Sequence, residues 1–341
     1  MKGTSLKKVI LILLLLSPSA QAEEAATSTL SVPANNPSAA DETATQKTEN
    51  PATPSIPMIK NYATRDLISA EKQIYKFSFF SLAGGRAVDI SRGGTSVGAY
   101  NYIGVSKKID SNDQVGFRYV FYYDSAGYKF NPSKFKEDYV GHQTETGDPY
   151  FTYSRYSIAK FDDWNLSGSG RIYLPLSRFS QATKLVTQLR TEFFFDQPLY
   201  KFSNFNFSNK TDYFVQTQKD YLDGDVARSD DGTYPSTAVK GTKQWNTENY
   251  IEIDANLSKK FSFKPRLGFE DSWYFGSAAE NIEPRHDTDF KTQMGFDYRA
   301  AKSLSFTLAL ENRTALLNRK DAVAFGRPED NKWIFITYAS Y

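Results

Sequence analysis

The stretch Asn331–Tyr341, NKWIFITYASY, decides the fold. Counting back from its end by twos gives a mostly apolar and aromatic set: Tyr341, Ala339, Thr337, Phe335 and Trp333. Alternation with a period of two is typical of a β-strand that has one face in an apolar environment. The intervening residues Lys332, Ile334, Ile336 and Tyr338 are also largely apolar, which indicates that something packs against the second face as well.

The same alternation recurs along the chain from residue 73 onward. It is clearest over 115–123, 251–257 and 304–313, where apolar or aromatic residues alternate with polar or small ones. The segments are about a dozen residues long, which is enough for a tilted strand to cross a membrane. We therefore predict an all-β chain built from many long strands.

The connectors between these segments alternate in length. Short ones fall near 107–113, 160–163, 258–260 and 300–303. Long polar ones fall near 125–148, 218–243, 276–287 and 318–331. Counting back from the last strand predicts about twelve strands, with ten or fourteen left open, and the weakest assignment is the strand between residues 200 and 216.

A final strand that ends on an aromatic residue resembles the closing strand of Gram-negative outer-membrane β-barrels of the porin-like class. The resemblance implies a transmembrane antiparallel up-and-down β-barrel over residues 72–341, with short turns in the periplasm and long loops outside. It also implies that Trp333, Phe335 and Tyr341 form the signal read by the barrel assembly machinery.

A soluble β-sandwich or lipocalin-like barrel produces the same alternation, with its apolar face turned inward. Long strands and alternating loop lengths oppose that alternative. Aromatic residues near strand ends oppose it too, because membrane barrels carry an aromatic girdle at each interface. We assign to this girdle Tyr150, Trp164, Trp245, Trp273, Tyr274 and Trp333.

The N-terminal segment 1–22 has the features of a cleaved signal peptide: early lysines, an apolar run over 9–16 and the small-residue site Ala20-Gln21-Ala22. Residues 23–71 are rich in Ala, Thr, Ser and Pro and predict a disordered periplasmic leader. A short helix over 64–72 within it is an alternative to a plain lead-in. We expect the mature protein in the outer membrane.

Composition excludes several classes of function. Removing the three lysines of the signal peptide from 41 basic residues leaves 38, against 39 acidic ones, so no basic field favours nucleic acid. The chain has no Cys, which excludes disulfides and thiolate chemistry. Its 15% aromatic content suits a membrane barrel better than a soluble periplasmic protein. We expect no cofactor and no metal ion.

If the apolar face meets lipid, the polar face lines the lumen. The predicted pore-lining charges are Arg118, Arg171, Arg190, Glu192, Glu252, Asp254, Lys264, Arg266, Glu270, Lys291, Asp297, Glu311 and Arg313. The two signs are balanced and favour neither anions nor cations. The charges could stand on opposite walls of a wet channel or pair across a narrow lumen, and a narrow pore is favoured.

Two histidines, His142 and His286, fall in predicted external loops. No G-x-S-x-G or H-E-x-x-H motif accompanies them. The acidic segment 220–231 lacks the spacing of an EF-hand. These residues do not predict an enzyme, and an outer-membrane hydrolase remains a minor alternative.

Together these features predict a porin-like channel for passive diffusion of small hydrophilic solutes. The alternative is a plugged structural barrel whose external loops bind a partner. The expected partners are outer-membrane lipid, the barrel assembly machinery and small hydrophilic solutes, and a homo-oligomer is left open.

Overall fold

The computed structural model describes residues 74–91, 97–125, 127–131, 136–200, 203–222, 239–277, 282–316 and 331–341. The signal peptide, the leader and the short helix expected over 64–72 lie outside the described residues. Most of the acidic segment, from Asp223 onward, also lies outside them.

Twelve long strands form a closed antiparallel β-barrel, as the alternation predicted. In chain order they are β1 (Tyr75–Arg86), β2 (Gly98–Lys108), β3 (Asp113–Asp124), β7 (Tyr150–Phe161), β8 (Trp164–Tyr173), β9 (Leu185–Tyr200), β10 (Ser203–Gln216), β13 (Lys243–Asn256), β14 (Phe261–Tyr274), β15 (Arg285–Ala301), β16 (Leu304–Ala315) and β17 (Asn331–Ser340). Strand β10 confirms the weakest assignment.

Smaller elements lie in the connectors. They are the helices α1 (Ala87–Ser91) and α2 (Arg178–Ala182) and the strands β4 (Gly127–Asn131), β5 (Lys136–Val140), β6 (Gln143–Thr146), β11 (Asp220–Leu222) and β12 (Val239–Gly241). Strand β6 pairs with the end of β3, while β4 pairs with β5 and β11 with β12. Neither of the two described helices is long and apolar enough to span a membrane.

The terminal strand closes the barrel. β17 pairs antiparallel with both β16 and β1, so the last strand joins the first. The Phe77 N–H donates to the Tyr341 carbonyl at 2.8 Å, and the Tyr341 N–H donates to the Phe77 carbonyl at 2.9 Å. Closure matters because an open edge would leave backbone groups unpaired in lipid.

The two ends of the barrel differ in the length of their connectors, as predicted. At the short-turn end, residues 109–112, 162–163, 257–260 and 302–303 join successive strands. At the long-loop end, the connectors span 87–97, 125–149, 174–184, 217–242, 275–284 and 316–330. Both Tyr75 and Tyr341 lie at the short-turn end.

The alternation in sequence becomes an outward and an inward face. Outward side chains such as Ile103, Met294 and Phe335 are exposed, whereas inward ones such as Phe80 and Ile336 are buried. The outward face is apolar along the barrel and is therefore suited to contact lipid hydrocarbon.

Candidate functional site in the barrel lumen

Ion pairs line the inward face of the strands from β8 to β16. They link neighbouring strands along the wall, and we call this set the charged wall: Arg171–Glu192, Arg190–Asp212, Lys210–Glu248, Lys291–Glu270, Arg313–Asp289 and Lys264–Asp297. The pairs are therefore neither segregated on opposite walls nor matched across the lumen. They are cross-strand pairs of the kind that stabilise a sheet.

The pair between Arg190 and Asp212 has the most complete geometry. Arg190 Nε and Nη2 donate to the two Asp212 oxygens at 2.6 and 3.1 Å, and Gln188 donates to Asp212 at 2.7 Å. Arg190 is 2% exposed. A forked, buried pair of this kind fixes both side chains, because removing either one leaves the other charge unpaired.

Two lysine–glutamate pairs continue the charged wall toward β16. Lys210 binds Glu248, which also accepts a hydrogen bond from the Tyr250 hydroxyl at 2.9 Å. Lys291 binds Glu270 on the neighbouring strand. Arg313 lies 3.5 Å from the same Glu270 carboxylate, reaching over the intervening strand.

A further cluster lies nearer the short-turn end. Lys264 binds Asp297 and stands 3.9 Å from Asp254. The Thr307 hydroxyl donates to Asp297 at 2.5 Å. These contacts join four strands in succession, from β13 to β16.

The opposite side of the lumen is aromatic and apolar. Its buried members come from β1, β2, β3, β7, β8, β16 and β17, and we call them the aromatic wall: Phe80, Tyr100, Tyr102, Val120, Tyr150, Tyr173, Ala309, Ile334, Ile336 and Tyr338. The rings of Phe80 and Tyr102 stack with centroids 5.1 Å apart. Those of Tyr150 and Tyr173 lie 4.8 Å apart. The apolar inner face of the terminal strand is part of this wall, where it packs against the rings from the first strands.

Arginines lie over tyrosine rings where the two walls meet. Guanidinium carbons stand 5.1 to 5.4 Å from ring centroids in the pairs Arg118–Tyr102, Arg171–Tyr150 and Arg190–Tyr173. Such cation–π contacts become stronger when the groups are shielded from water.

Glycines make room for one of these arginines. A Cβ on Gly104 would stand 2.2 Å from Arg118 Cδ, and one on Gly116 would stand 3.0 Å from Arg118 Nη1. Arg118 therefore lies flat along the wall, where it donates to the Val105 and Phe117 carbonyls and to the Ser106 hydroxyl.

All thirteen predicted pore-lining charges are on the inward face. Ten are buried, and Arg118, Glu311 and Arg313 are partly buried. Burial of so many charged side chains indicates a narrow lumen at this height. Their role in conduction stays a prediction.

Several inward charges were missed, namely Lys210, Asp212 and Asp289. Lys210 and Asp212 lie in β10, whose outward residues Phe205 and Phe207 are followed by the weakly patterned SNKT. Because Tyr213 faces outward, Asp212 and Lys210, which lie one and three positions before it, face inward, and this alternation could have found both residues.

Two members of the predicted girdle do not face outward, Tyr150 and Tyr274, and the girdle otherwise stays a prediction. Tyr274 follows the inward alternation of Glu270 and Ser272 in β14. Trp333 and Phe335 are 40% and 46% exposed, and Tyr341 is exposed as well. Tyr150 was wrongly placed in the girdle, because it opens β7 with its ring buried in the lumen beside Tyr173. Tyr150 belongs to the aromatic wall instead.

Among the described residues, neither histidine has the partners of a catalytic relay. His142 is exposed between β5 and β6. His286 stacks on Trp273 with centroids 4.4 Å apart, and its Nε2 lies 3.2 Å from Asp271 and 3.5 Å from the Thr288 hydroxyl. A relay needs the nucleophile and the orienting carboxylate on opposite ring nitrogens of the histidine, whereas the Thr288 hydroxyl and Asp271 both meet Nε2 of His286. The described residues contain no cluster of three metal-ligating side chains.

No family model matches the chain, and no curated protein matches its sequence. Among solved structures, an outer-membrane channel from Pseudomonas putida F1 aligns with a TM-score of 0.48 and 9% identity, over 78% of this chain and 95% of that one. The NanC porin aligns at 0.42 and 8%, over 77% and 98%. The KdgM porin aligns at 0.40 and 7%, over 77% and 99%. At these values the likeness concerns the fold alone.

Proposed function

We propose that this protein is an outer-membrane channel for passive diffusion of small hydrophilic solutes. The observation that carries this function is the pairing of an apolar outward face with an inward face rich in charge. A barrel built only for anchoring has no need of a charged interior, because buried ion pairs add little net stability over apolar packing.

The expected pore is narrow. The buried pairs of the charged wall occupy the lumen side of seven strands, so a solute must pass between them and the aromatic wall. We expect small conductance steps, because conductance falls with the free cross-section of a pore.

The orientation follows from the connectors. We place the short-turn end, with Tyr75 and Tyr341, in the periplasm, and the long-loop end outside. In this orientation Trp333, Phe335 and Tyr341 are presented to the barrel assembly machinery from the lipid side of the last strand.

Planar bilayers test the channel directly. The full mature chain, folded in detergent and inserted, is expected to give discrete conductance steps. A double variant, Lys210→Ala with Glu248→Ala, removes one pair from the lumen and is expected to increase the step size. The matched control, Leu267→Ala, shortens an exposed outward side chain and should leave the step unchanged. Folded protein that never conducts would contradict the channel.

The burial of the lumen charges favours a second candidate, a closed structural barrel whose external loops bind a partner. It predicts no conductance from either the native protein or the Lys210/Glu248 variant. It also predicts unchanged solute uptake, with lost surface binding, in cells that lack the protein.

A further inference from the structure

Three buried hydrogen-bond donors on β8 and β9 have no partner among the residues that the structure describes. They are Nη1 of Arg171, Nη1 of Arg190 and the hydroxyl oxygen of Tyr173. All three residues are more than nine-tenths buried. A buried donor left unpaired costs on the order of 1–3 kcal/mol, so three of them together require an explanation.

These residues adjoin one another. Arg171 and Arg190 are directly opposite on neighbouring strands, and like charges in that position repel. The Arg190 guanidinium lies over the Tyr173 ring, and the Arg171 guanidinium lies over Tyr150, whose ring packs against Tyr173. Each arginine uses its Nη2 for its own carboxylate, Glu192 or Asp212, and keeps Nη1 unused.

Arg171 and Arg190 are each paired with a carboxylate, Glu192 and Asp212. Arg118 adds a third guanidinium group next to the cluster, since it stands directly opposite Tyr150 on β3. Within the described part of the chain, Arg118 forms no ion pair, since its donors go to two carbonyls and a hydroxyl. One Glu192 oxygen also lacks a hydrogen bond, but it lies 2.8 Å from Arg171 Nη2 and is compensated by that charge.

We propose that Arg171, Arg190 and Tyr173 form a binding site for a small oxyanion, either a carboxylate or a phosphate group, inside the lumen. The unused groups supply N–H and O–H donors, which oxyanions accept strongly from guanidinium groups. A single negative charge also balances the local excess. The site deepens the proposed function and rests on it, because Arg171, Arg190 and Tyr173 belong to the inward faces of β8 and β9, which line the lumen. The charges of the whole lumen are balanced and favour neither sign, whereas this part of the lumen favours an anion.

Titration calorimetry on the full mature chain folded in detergent tests the site without requiring conduction. Sodium acetate, sodium phosphate and sodium bromide are titrated separately at constant ionic strength set by sodium chloride. Saturable heat from acetate or phosphate, and none from bromide, is expected, and the stronger of the first two identifies the oxyanion. Equal binding of bromide would overturn the site, because a spherical ion needs no directed donors.

Conservative variants locate the binding. Tyr173→Phe removes only the unpartnered hydroxyl, and Arg171→Lys keeps the positive charge that pairs with Glu192 but removes the unused N–H. Each is expected to weaken oxyanion binding by about 3- to 10-fold, the effect of one lost hydrogen bond. The control Arg313→Lys changes an arginine of the same charged wall that lies on β16, and binding should stay within about twofold. Unchanged affinity in both site variants would overturn the assignment.

The two functions fail in different ways. Oxyanion binding without any conductance would reject the channel and keep the site. Conductance with no saturable oxyanion binding would keep the channel and reject the site.

Discussion

The two walls of the lumen solve the same packing problem by opposite means. The charged wall is held by pairs whose members compensate each other, whereas the aromatic wall is held by contact area and ring geometry. Removing both members of an ion pair leaves no unpaired charge. Removing one ring of a stacked pair leaves a cavity, and removing the second ring only enlarges that cavity. We therefore expect that a pair in the charged wall can be replaced as a unit with little loss of stability, whereas the aromatic wall loses stability with each ring removed.

The largest expected effect comes from breaking one pair in the charged wall. Arg190→Met leaves the Asp212 carboxylate buried without its partner and should lower the free energy of unfolding by about 3–5 kcal/mol. The double variant with Asp212→Leu should recover most of that loss. Urea unfolding of the folded barrel in lipid vesicles measures both.

The control for this experiment is Arg155→Met. Arg155 is half exposed and lies 3.7 Å from Asp113 in an outward pair near the short-turn end. Exposed pairs contribute about 0–1 kcal/mol, so this change should be small. If the Arg190/Asp212 double variant is no more stable than Arg190→Met alone, the two walls do not differ in the way described.

The aromatic wall should show no such recovery. Phe80→Ala removes a fully buried ring stacked on Tyr102 and should cost about 3–5 kcal/mol. Adding Tyr102→Ala should increase the loss, because the cavity becomes larger. The same urea experiment tests this, with the exposed outward Phe335→Ala as control, and a double variant as stable as the native barrel would contradict it.

A smaller effect is expected where the walls meet. Gly104→Ala places a Cβ against Arg118 Cδ and must displace that side chain, at a cost of about 1–3 kcal/mol. Gly170→Ala is the matched control, because a Cβ there would meet only the Arg190 carbonyl at 4.0 Å. Equal stability of the two variants would show that Arg118 is not held by the glycines.

The smallest effect lies outside both walls, in the turn 109–112. The Asn112 and Asp113 N–H groups donate to Asp110 at 2.7 and 2.8 Å and hold the pKa of this carboxyl below its ordinary 3.8. Because the folded-state pKa is lowered, the stabilisation is present above pH 3.8 and is lost as the pH falls through the folded value. Carboxyl NMR titration, with Asp110→Asn as control, should show this midpoint below 3.8.

The faces and the strand count could be predicted because both follow from local patterns. Alternation in residues such as 115–123 fixes which side chains share a face, whatever their partners. Ion-pair partners could not be predicted, since Arg171 meets Glu192 only through the register between β8 and β9, which depends on the whole sheet. The leader and the signal peptide stay predictions.

Tyr150 shows the limit of reading aromatics from sequence. An aromatic residue near a strand end is compatible with a girdle and with a buried wall. Alternation divides a strand into two faces but does not show which face is inward until the position of one residue is known. In the terminal strand the inner face of Ile334, Ile336 and Tyr338 did indicate an interior partner, and the structure identifies that partner as rings from the first strands of the chain.

By itself, the sequence determined a membrane-type β-barrel with an apolar outside and a charged inside, because a period of two places residues on faces without reference to distant contacts. The tertiary structure alone decided that the inside has two different walls. Closing β17 onto β1 brings residues more than 200 positions apart side by side and sets the inner face of the terminal strand against Phe80. The register between β8 and β9 sets Arg171 opposite Arg190, where both arginines and Tyr173 keep unused donors.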